Sequence, residues 1–167
     1  MEKSMTCSFT GHRQISPQAR PSLKALLDKA VEYAYSEGCR TFICGGALGF
    51  DTMAARAVIS FRMKHSDVRL VLALPCLDQD AMWSEAQKNS YSFTLEAADE
   101  VIYVSEEYTK SCMAERNAYL ANKCDILIAY SGRSNSGAAQ TVRMAEKQNK
   151  RIYNLYRTVE KNLREEL

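Results

Sequence analysis

The feature that most constrains this chain is a regular alternation of short strand-like segments with longer amphipathic ones. The strand-like segments cover residues 6–11, 40–44, 68–74, 100–104, 125–130 and 151–156, the last of them a candidate edge strand. Residues 42–44, 70–74 and 126–129 are uninterrupted apolar runs, which is typical of parallel strands buried on both faces. Strands separated by helices require βαβ crossovers, so the pattern predicts an α/β fold with a doubly wound, mostly parallel sheet.

The segments between the strands have the spacing of amphipathic helices. In the first, Leu23, Leu27, Val31 and Ala34 recur at three- and four-residue intervals and mark one face. Further helices are predicted over residues 51–64, 80–89 and 111–122, and from the loop at 131–137 to about 149. These helices should cover both faces of a single-domain, Rossmann-like sheet over residues 1–157, followed by a charged tail at 158–167 that could form a short helix.

Composition narrows the class of protein. The chain has 167 residues and a net charge of +2, which disfavours a nucleic-acid binder because such proteins usually carry a larger basic excess. Its six cysteines form no CxxC motif and no histidine stands at zinc-site spacing, so no metal site is predicted. We find neither a secretion signal nor an apolar run of membrane-spanning length, and therefore expect a cytoplasmic protein with reduced thiols and no membrane partner.

The segments that leave the predicted strands should meet at one edge of the sheet. They are 10–13 (TGHR), 45–51 (GGALGFD), 75–80 (PCLDQD), 105–110 (SEEYTK) and 131–137 (SGRSNSG). Open α/β sheets bind ligands beyond the carboxyl ends of their strands, where the strand order reverses. The candidate functional residues are therefore expected in these loops.

The glycines at 45, 46 and 49 allow two interpretations. Gly45 and Gly46 let the backbone approach a ligand closely, and Gly49 opens a helix whose free N–H groups favour an anion. Alternatively, they form only a tight turn between a strand and a helix. Asp51 would repel phosphate, so it either caps the helix or faces a sugar hydroxyl, as acids do in dinucleotide sites.

Other loops add candidates with the same ambiguity. The loop at 131–137 supplies hydroxyl donors and turn glycines before a helix, or is simply a polar loop with a serine cap. Arg13 could clamp phosphate, whereas Arg116 could instead form a surface salt bridge with Glu115. Trp83, predicted to lie one turn into a helix, could stack on a base or fill the core.

His12 is compatible with two roles. It could act on the ligand as a base, donor or stacking ring, or be a surface or structural group. A nucleophilic pair of His12 with Cys76 or Cys112 can be drawn, but no third orienting residue is evident.

These segments together resemble the YpsA-like family of the SLOG superfamily, the Rossmann-like relatives of DprA and LOG proteins. The resemblance rests on FTGHR (9–13), CGGALGFDTMAA (44–55), LPCLDQDAMW (74–83) and the long segment 115–145. It implies a nucleotide or nucleotide-derived ligand, which could be ADP-ribose-like, and a homo-oligomer. No cofactor is identified. The residues expected to contact the ligand are Thr10, Gly11, His12, Arg13, Gly45, Gly46, Gly49, Asp51, Gln79, Trp83, Arg116, Asn117, Gly132, Ser136 and Gly137.

The comparison with LOG enzymes bears on catalysis. The segment MAERN (113–117) resembles their MxxRK motif, which places Arg116 on their catalytic arginine. Their PGGxGTxxE motif should lie over 131–141, but the position of its glutamate falls on Thr141, beside Gln140. Cleavage of an N-glycosidic bond needs a carboxylate, which neither residue supplies, although Asp51 or Glu115 could substitute.

The leading hypothesis is therefore a nucleotide-binding sensor or regulator rather than an enzyme. The first alternative is a phosphoribohydrolase-like enzyme that cleaves base from a nucleoside monophosphate. The second is a DprA-like DNA-handling protein, which the weak net charge disfavours. Catalytic residues stay unassigned.

Overall fold

The computed structural model describes residues 4–166 and confirms the α/β fold. Six parallel strands form one sheet in the order β4-β3-β2-β1-β5-β6. The strands are β1 (Met5–Gly11), β2 (Cys39–Cys44), β3 (Arg69–Leu74), β4 (Glu100–Tyr103), β5 (Ile126–Tyr130) and β6 (Arg151–Asn154). The helices are α1 (Arg20–Ser36), α2 (Phe50–Arg62), α3 (Glu85–Ala97), α4 (Cys112–Lys123), α5 (Gly137–Lys147) and α6 (Tyr156–Glu165).

Both faces of the sheet are buried, which explains the uninterrupted apolar runs. Alternate strand residues such as Phe42 and Leu72 join the main core with α1, α2, α3 and α6. Their sequence neighbours point to the other face, where Ile43 and Val71 pack against Leu120 of α4. Helices α4 and α5 pack against each other. The sheet is thus wound in two directions from β1, and β1 and β5 flank the point where the strand order reverses.

The helix predicted over 80–89 is misplaced. Residues 78–83 form turns, and α3 runs instead from Glu85 to Ala97. Its start is set by a capping box in which the Ser84 hydroxyl accepts from the Gln87 N–H, while the Gln87 side chain accepts from the Ser84 N–H. The sequence SEAQ carries this signal. Trp83 consequently lies before the helix and not one turn inside it.

The carboxyl-terminal part of the chain also differs in detail. The last strand ends at Asn154 rather than at residue 156, and it is an edge strand as expected. Tyr156 already belongs to α6, and Val159 on this helix is fully buried in the main core. In residues 4–166 no helix is long and apolar enough to cross a membrane.

Candidate functional site

A cavity of about 1090 Å³ lies at the carboxyl edge of the sheet, where the strand order reverses. Its walls come from the loop after β1, the start of α2, the segment before α3 with part of that helix, α4, and the start of α5. The sequence-predicted residues that line it are Thr10, Gly11, His12, Arg13, Gly46, Gly49, Asp51, Trp83, Arg116, Asn117, Ser136 and Gly137. Gly45, Gln79 and Gly132 lie behind these and contact lining residues instead.

Residues 45–49, between β2 and α2, form the glycine loop. Arg116 is buried beneath it, with 7% of its surface exposed. Its Nη1 donates to the carbonyl oxygen of Gly45 at 2.5 Å, and its Nε donates to Oδ1 of Asn117 at 3.1 Å. Burial lowers the pKa of the guanidinium, and the nearby charge of Asp51 opposes that effect. The interpretation of Arg116 as a surface salt-bridge residue is therefore wrong.

Asp51 is the most unusual group in the cavity wall. It is 5% exposed, and its Oδ2 accepts from the N–H of Ala47 at 3.2 Å. Its other oxygen, Oδ1, is buried and has no hydrogen-bond partner within residues 4–166. Burial raises the pKa of this carboxyl to about 6, although Arg116, the Ala47 N–H and Arg13 favour the charged form. Buried polar groups are nearly always paired, so a carboxylate oxygen without a partner in this wall is an exception that needs an explanation.

The glycine loop holds these two groups apart and turns the chain into α2. A Cβ on Gly45 would lie 2.7 Å from Oδ2 of Asp51 and 2.9 Å from Nη1 of Arg116, so a side chain would not fit between them. Gly49 has a φ of +76°, and a Cβ there would overlap the carbonyl oxygen of Arg13. Gln79 supports the loop from behind by donating to the carbonyl oxygen of Gly46 at 3.1 Å.

His12 links the loops that follow β1 and β5. Its Nε2 accepts a hydrogen bond from the N–H of Gly132 at 2.9 Å, so the neutral ring carries its proton on Nδ1. The ring packs edge-on against Tyr130 and Tyr156, with centroid separations of 5.6 and 5.9 Å. Burial lowers the pKa of His12, and the charge of Arg133 lowers it further. His12 therefore lines the cavity and also holds the two loops together.

Ser136, in the loop at 131–137, and Thr141, on α5, both use their side chains for local structure. The hydroxyl of Ser136 accepts from the N–H of Ala139 at 3.1 Å and caps α5. Thr141 is fully buried and donates its hydroxyl proton to the carbonyl oxygen of Gly137 at 3.0 Å. Thr141 does not line the cavity, so this wall supplies no carboxylate at the position that LOG enzymes use.

Several other sequence candidates stay outside the cavity. Glu115 is exposed on α4 and accepts a hydrogen bond from the Ser111 hydroxyl at 2.9 Å. Cys76 and Cys112 are buried and line neither this cavity nor the smaller one beside it. The structure therefore gives no support to a cysteine–histidine nucleophile. Among residues 4–166 no group of three His, Cys, Asp or Glu side chains is placed to hold a metal ion.

The structure adds lining residues that the sequence reasoning missed. Arg56 extends from α2, donates to the Ser90 hydroxyl at 3.1 Å and lies over the ring of Phe93. Tyr91 packs edge-on against Trp83 at a centroid distance of 5.1 Å. Arg133 also lines the cavity, and it could have been identified from the sequence because it lies in the glycine-rich loop SGRSNSG. Residues missed on the wall include Arg20, Arg56, Tyr91, Met113 and Arg133.

Comparison with known proteins places the chain in a family. The SPbeta prophage-derived protein YoqJ of Bacillus subtilis is 32% identical over 76% of this chain and 84% of its own length. A UPF0398 protein of Halalkalibacterium halodurans is 30% identical over 65% of this chain and 59% of its own length.

Solved structures agree on the fold. DNA processing protein A of Streptococcus pneumoniae superimposes with a TM-score of 0.65 at 18% identity, over 90% of this chain and half of the other. The Helicobacter pylori protein of the same name, whose structure concerns single-stranded DNA binding, gives 0.61 at 18% identity over 89% of this chain and 63% of the other. The YpsA family model, described as the YspA SLOG family, matches residues 11–162, and the chain therefore belongs to that family.

Proposed function

We propose that this protein binds a nucleotide or nucleotide-derived ligand in the cavity at the carboxyl edge of its sheet, as a sensor or regulator. One observation carries the proposal. The buried, half-unpaired carboxylate of Asp51 shares the cavity with a set of guanidinium groups, and it is the one carboxylate among the described lining residues. The lining arginines are Arg13, Arg20, Arg56, Arg116 and Arg133.

The charge balance of the wall supports a phosphate-bearing ligand. The chain as a whole carries a net charge of only +2, so the concentration of arginines around the cavity is local. Guanidinium groups match phosphate geometry, and each charge-assisted hydrogen bond contributes about 1.5–3 kcal/mol. The N–H groups of Gly137 and Ala138 at the start of α5 have no acceptor inside the helix and can add to the same anion site, whereas that of Ala139 is used by Ser136.

Asp51 supports a sugar in the same ligand. A carboxylate facing phosphate would repel it, whereas ribose hydroxyls would donate to this carboxylate, which has one oxygen without a partner among the described residues. Trp83 and Tyr91 form an aromatic corner on the α3 side, where a base could pack. In this arrangement the arginines bind phosphate, Asp51 binds ribose and the aromatic corner contacts the base.

Binding without turnover is favoured by the wall formed by α5. The position of the LOG glutamate is the buried Thr141, whose hydroxyl is used inside its own helix. A hydroxyl cannot carry the negative charge that stabilises an oxocarbenium-like transition state. The protein would then hold its ligand intact and report its presence.

The experiment is a binding screen on the full chain with a matched pair of variants. We expect AMP, ADP, ADP-ribose, a cyclic nucleotide or NAD to raise the melting temperature, and titration calorimetry to give a dissociation constant. Asp51→Asn should weaken the best ligand by about tenfold or more, the value of one charge-assisted hydrogen bond. Asp28→Asn, an exposed acid on α1, should leave affinity unchanged. Unchanged melting of the wild type with every nucleotide at millimolar concentration would reject the proposal.

A phosphoribohydrolase is the second candidate, and the pKa of Asp51 favours it. A carboxyl that burial brings to about 6 can exchange protons near neutral pH, as a general acid or base must. Incubation with nucleoside monophosphates and chromatography of the products would show free base, which Asp51→Asn should abolish. Absence of base above the buffer level, with the protein shown to be folded, would exclude this activity for those substrates.

The oligomeric state stays a prediction of the resemblance. Light scattering coupled to gel filtration should give a mass that is a multiple of 18.8 kDa. A monomer across micromolar concentrations would contradict it.

A further inference from the structure

A second cavity, of about 630 Å³, adjoins the first on the far side of the loop after β5. Its walls come from that loop, from one face of α5, and from the end of β6 with the start of α6. Apart from Arg133, no described residue that lines the first cavity lines this one. Its lining residues include Ser131, Ser134, Arg133, Arg143, Arg157 and Tyr156.

The charged residues that line the second cavity are all positive. Arg133, Arg143 and Arg157 line it, and no carboxylate is found among its described lining residues. Within residues 4–166 neither Arg133 nor Arg157 makes an ion pair or a side-chain hydrogen bond. Three guanidinium groups that face one cavity repel one another, and an anion between them would relieve that repulsion.

Arg143 is held in place for such a role. Its Nη1 donates to the carbonyl oxygen of Ser134 at 2.8 Å, which ties the α5 side of the cavity to the loop. The other N–H donors of a guanidinium stay available when one is used in this way. The side chain is therefore oriented before a ligand arrives, which reduces the entropy lost on binding.

The two cavities share one lining residue, Arg133. The loop that carries it is bonded to the first cavity by the contact between Gly132 and His12. Tyr156 forms the wall on the other side of this junction and packs edge-on against His12. A ligand that occupied both cavities would therefore lie beside Arg133.

We propose that the second cavity is a phosphate subsite, so that the ligand is a small nucleotide derivative with more than one phosphate. The nucleoside would occupy the first cavity, which rests on the proposed function, and a distal phosphate would bind Arg143 and Arg157. A small ligand is favoured over a polynucleotide because the arginines converge on two adjoining cavities of a chain whose net charge is only +2. The selectivity for extra phosphate is a property of the second cavity alone.

The test compares ligands that differ in phosphate number on the full chain. AMP, ADP, ATP and ADP-ribose are titrated into the wild type, the double variant Arg143→Gln/Arg157→Gln, and the control Lys29→Gln/Arg164→Gln. The control removes the same charge from exposed residues of α1 and α6 that line neither cavity. We expect the first double variant to weaken the tightest polyphosphate ligand by about tenfold or more and AMP by less than about twofold. Equal weakening of both ligands, or of neither, would overturn the subsite.

Inorganic tripolyphosphate separates this proposal from the nucleotide proposal. If no nucleotide binds, the nucleotide proposal fails. The result with tripolyphosphate then decides whether the second cavity binds phosphate. Binding that the Arg143/Arg157 variant loses and Asp51→Asn keeps would support the subsite, and no binding would reject it. The last probe is a single-stranded oligothymidylate of ten nucleotides. If it binds through Arg143 and Arg157 and ADP-ribose does not, the ligand is DNA and the proposal of a small ligand is overturned.

Discussion

Nη1 of Arg116 on α4 donates to the carbonyl oxygen of Gly45 after β2 at 2.5 Å, across 71 positions of sequence. The contact joins the buried guanidinium to the loop that opens α2, beside the Oδ2 oxygen of Asp51. It uses part of the guanidinium for structure and leaves the rest on the cavity wall. Arg116 therefore stabilises this loop, and in the proposed function it would also contact the ligand, so its loss should affect both stability and affinity.

Arg116→Gln should lower the free energy of unfolding by about 1–3 kcal/mol, because the buried carbonyl of Gly45 loses a charged donor. Urea unfolding at pH 7 measures the change. Arg133→Gln removes an exposed arginine of the same cavity and should change stability by less than about 0.5 kcal/mol. Equal stability of Arg116→Gln and the wild type would show that the contact contributes nothing.

Asp51 should make stability depend on pH with a sign opposite to that of most carboxylates. Burial raises the pKa of the folded carboxyl from 3.8 to about 6, so the folded state holds this proton more tightly than the unfolded state. The favourable contribution is complete below pH 3.8 and is lost as the pH rises to about 6, amounting to about 3 kcal/mol.

Asp51→Asn removes that titration. Relative to the wild type, the variant should gain about 1–3 kcal/mol at pH 7.5 and progressively less as the pH falls towards 4. Urea unfolding of both proteins at pH 4.5, 5.5, 6.5 and 7.5 isolates the difference from all other groups. A constant difference over this range would mean that Asp51 titrates normally.

His12 should oppose this trend at slightly higher pH. Its folded pKa is lowered by burial, and protonation of Nε2 would break the hydrogen bond from Gly132. The stabilising contribution is therefore present above pH 6.5 and is lost as the pH falls through the lower folded pKa.

His12→Phe keeps an aromatic ring but has no acceptor, so it should destabilise the protein by about 1 kcal/mol at pH 7.5. The difference from the wild type should shrink as the pH falls below 6.5, through the lower folded pKa of His12. Amide hydrogen exchange at Gly132 provides a local measurement, and protection there should fall in the variant. Unchanged protection would exclude the hydrogen bond as the link between the loops.

Two glycines at helix starts should respond differently to alanine. Gly49 has a φ of +76° and no space for a Cβ, so Gly49→Ala should cost about 1–3 kcal/mol from overpacking, with backbone strain in addition. Gly137 begins α5, and a Cβ there would lie 3.4 Å from its nearest neighbour, so Gly137→Ala should be neutral or stabilising by up to about 1 kcal/mol. Thermal unfolding of the pair tests the assignment, and similar losses for both would contradict it.

The fold followed from local patterns because each strand and helix carries its own periodicity. The runs at 42–44, 70–74 and 126–129 indicated burial on both faces, and the sheet confirms it. The prediction for α3 is wrong because the apolar periodicity of this segment is weak, whereas the capping box SEAQ sets where the helix begins. The signal was in the sequence, in the spacing between Ser84 and Gln87.

The sequence alone determined the fold class, the edge of the sheet where loops converge, and the family. Only the tertiary structure decided which side chains face the cavity, because orientation depends on contacts between segments far apart in the chain. Arg116 was equally compatible with an exposed salt bridge until α4 packed beside Gly45. For Asp51 the sequence favoured an ordinary helix cap, and only the structure shows that its carboxylate is buried with one oxygen unpaired. Arg133, Arg143 and Arg157 line the same cavity only because α5, β6 and α6 meet around one loop.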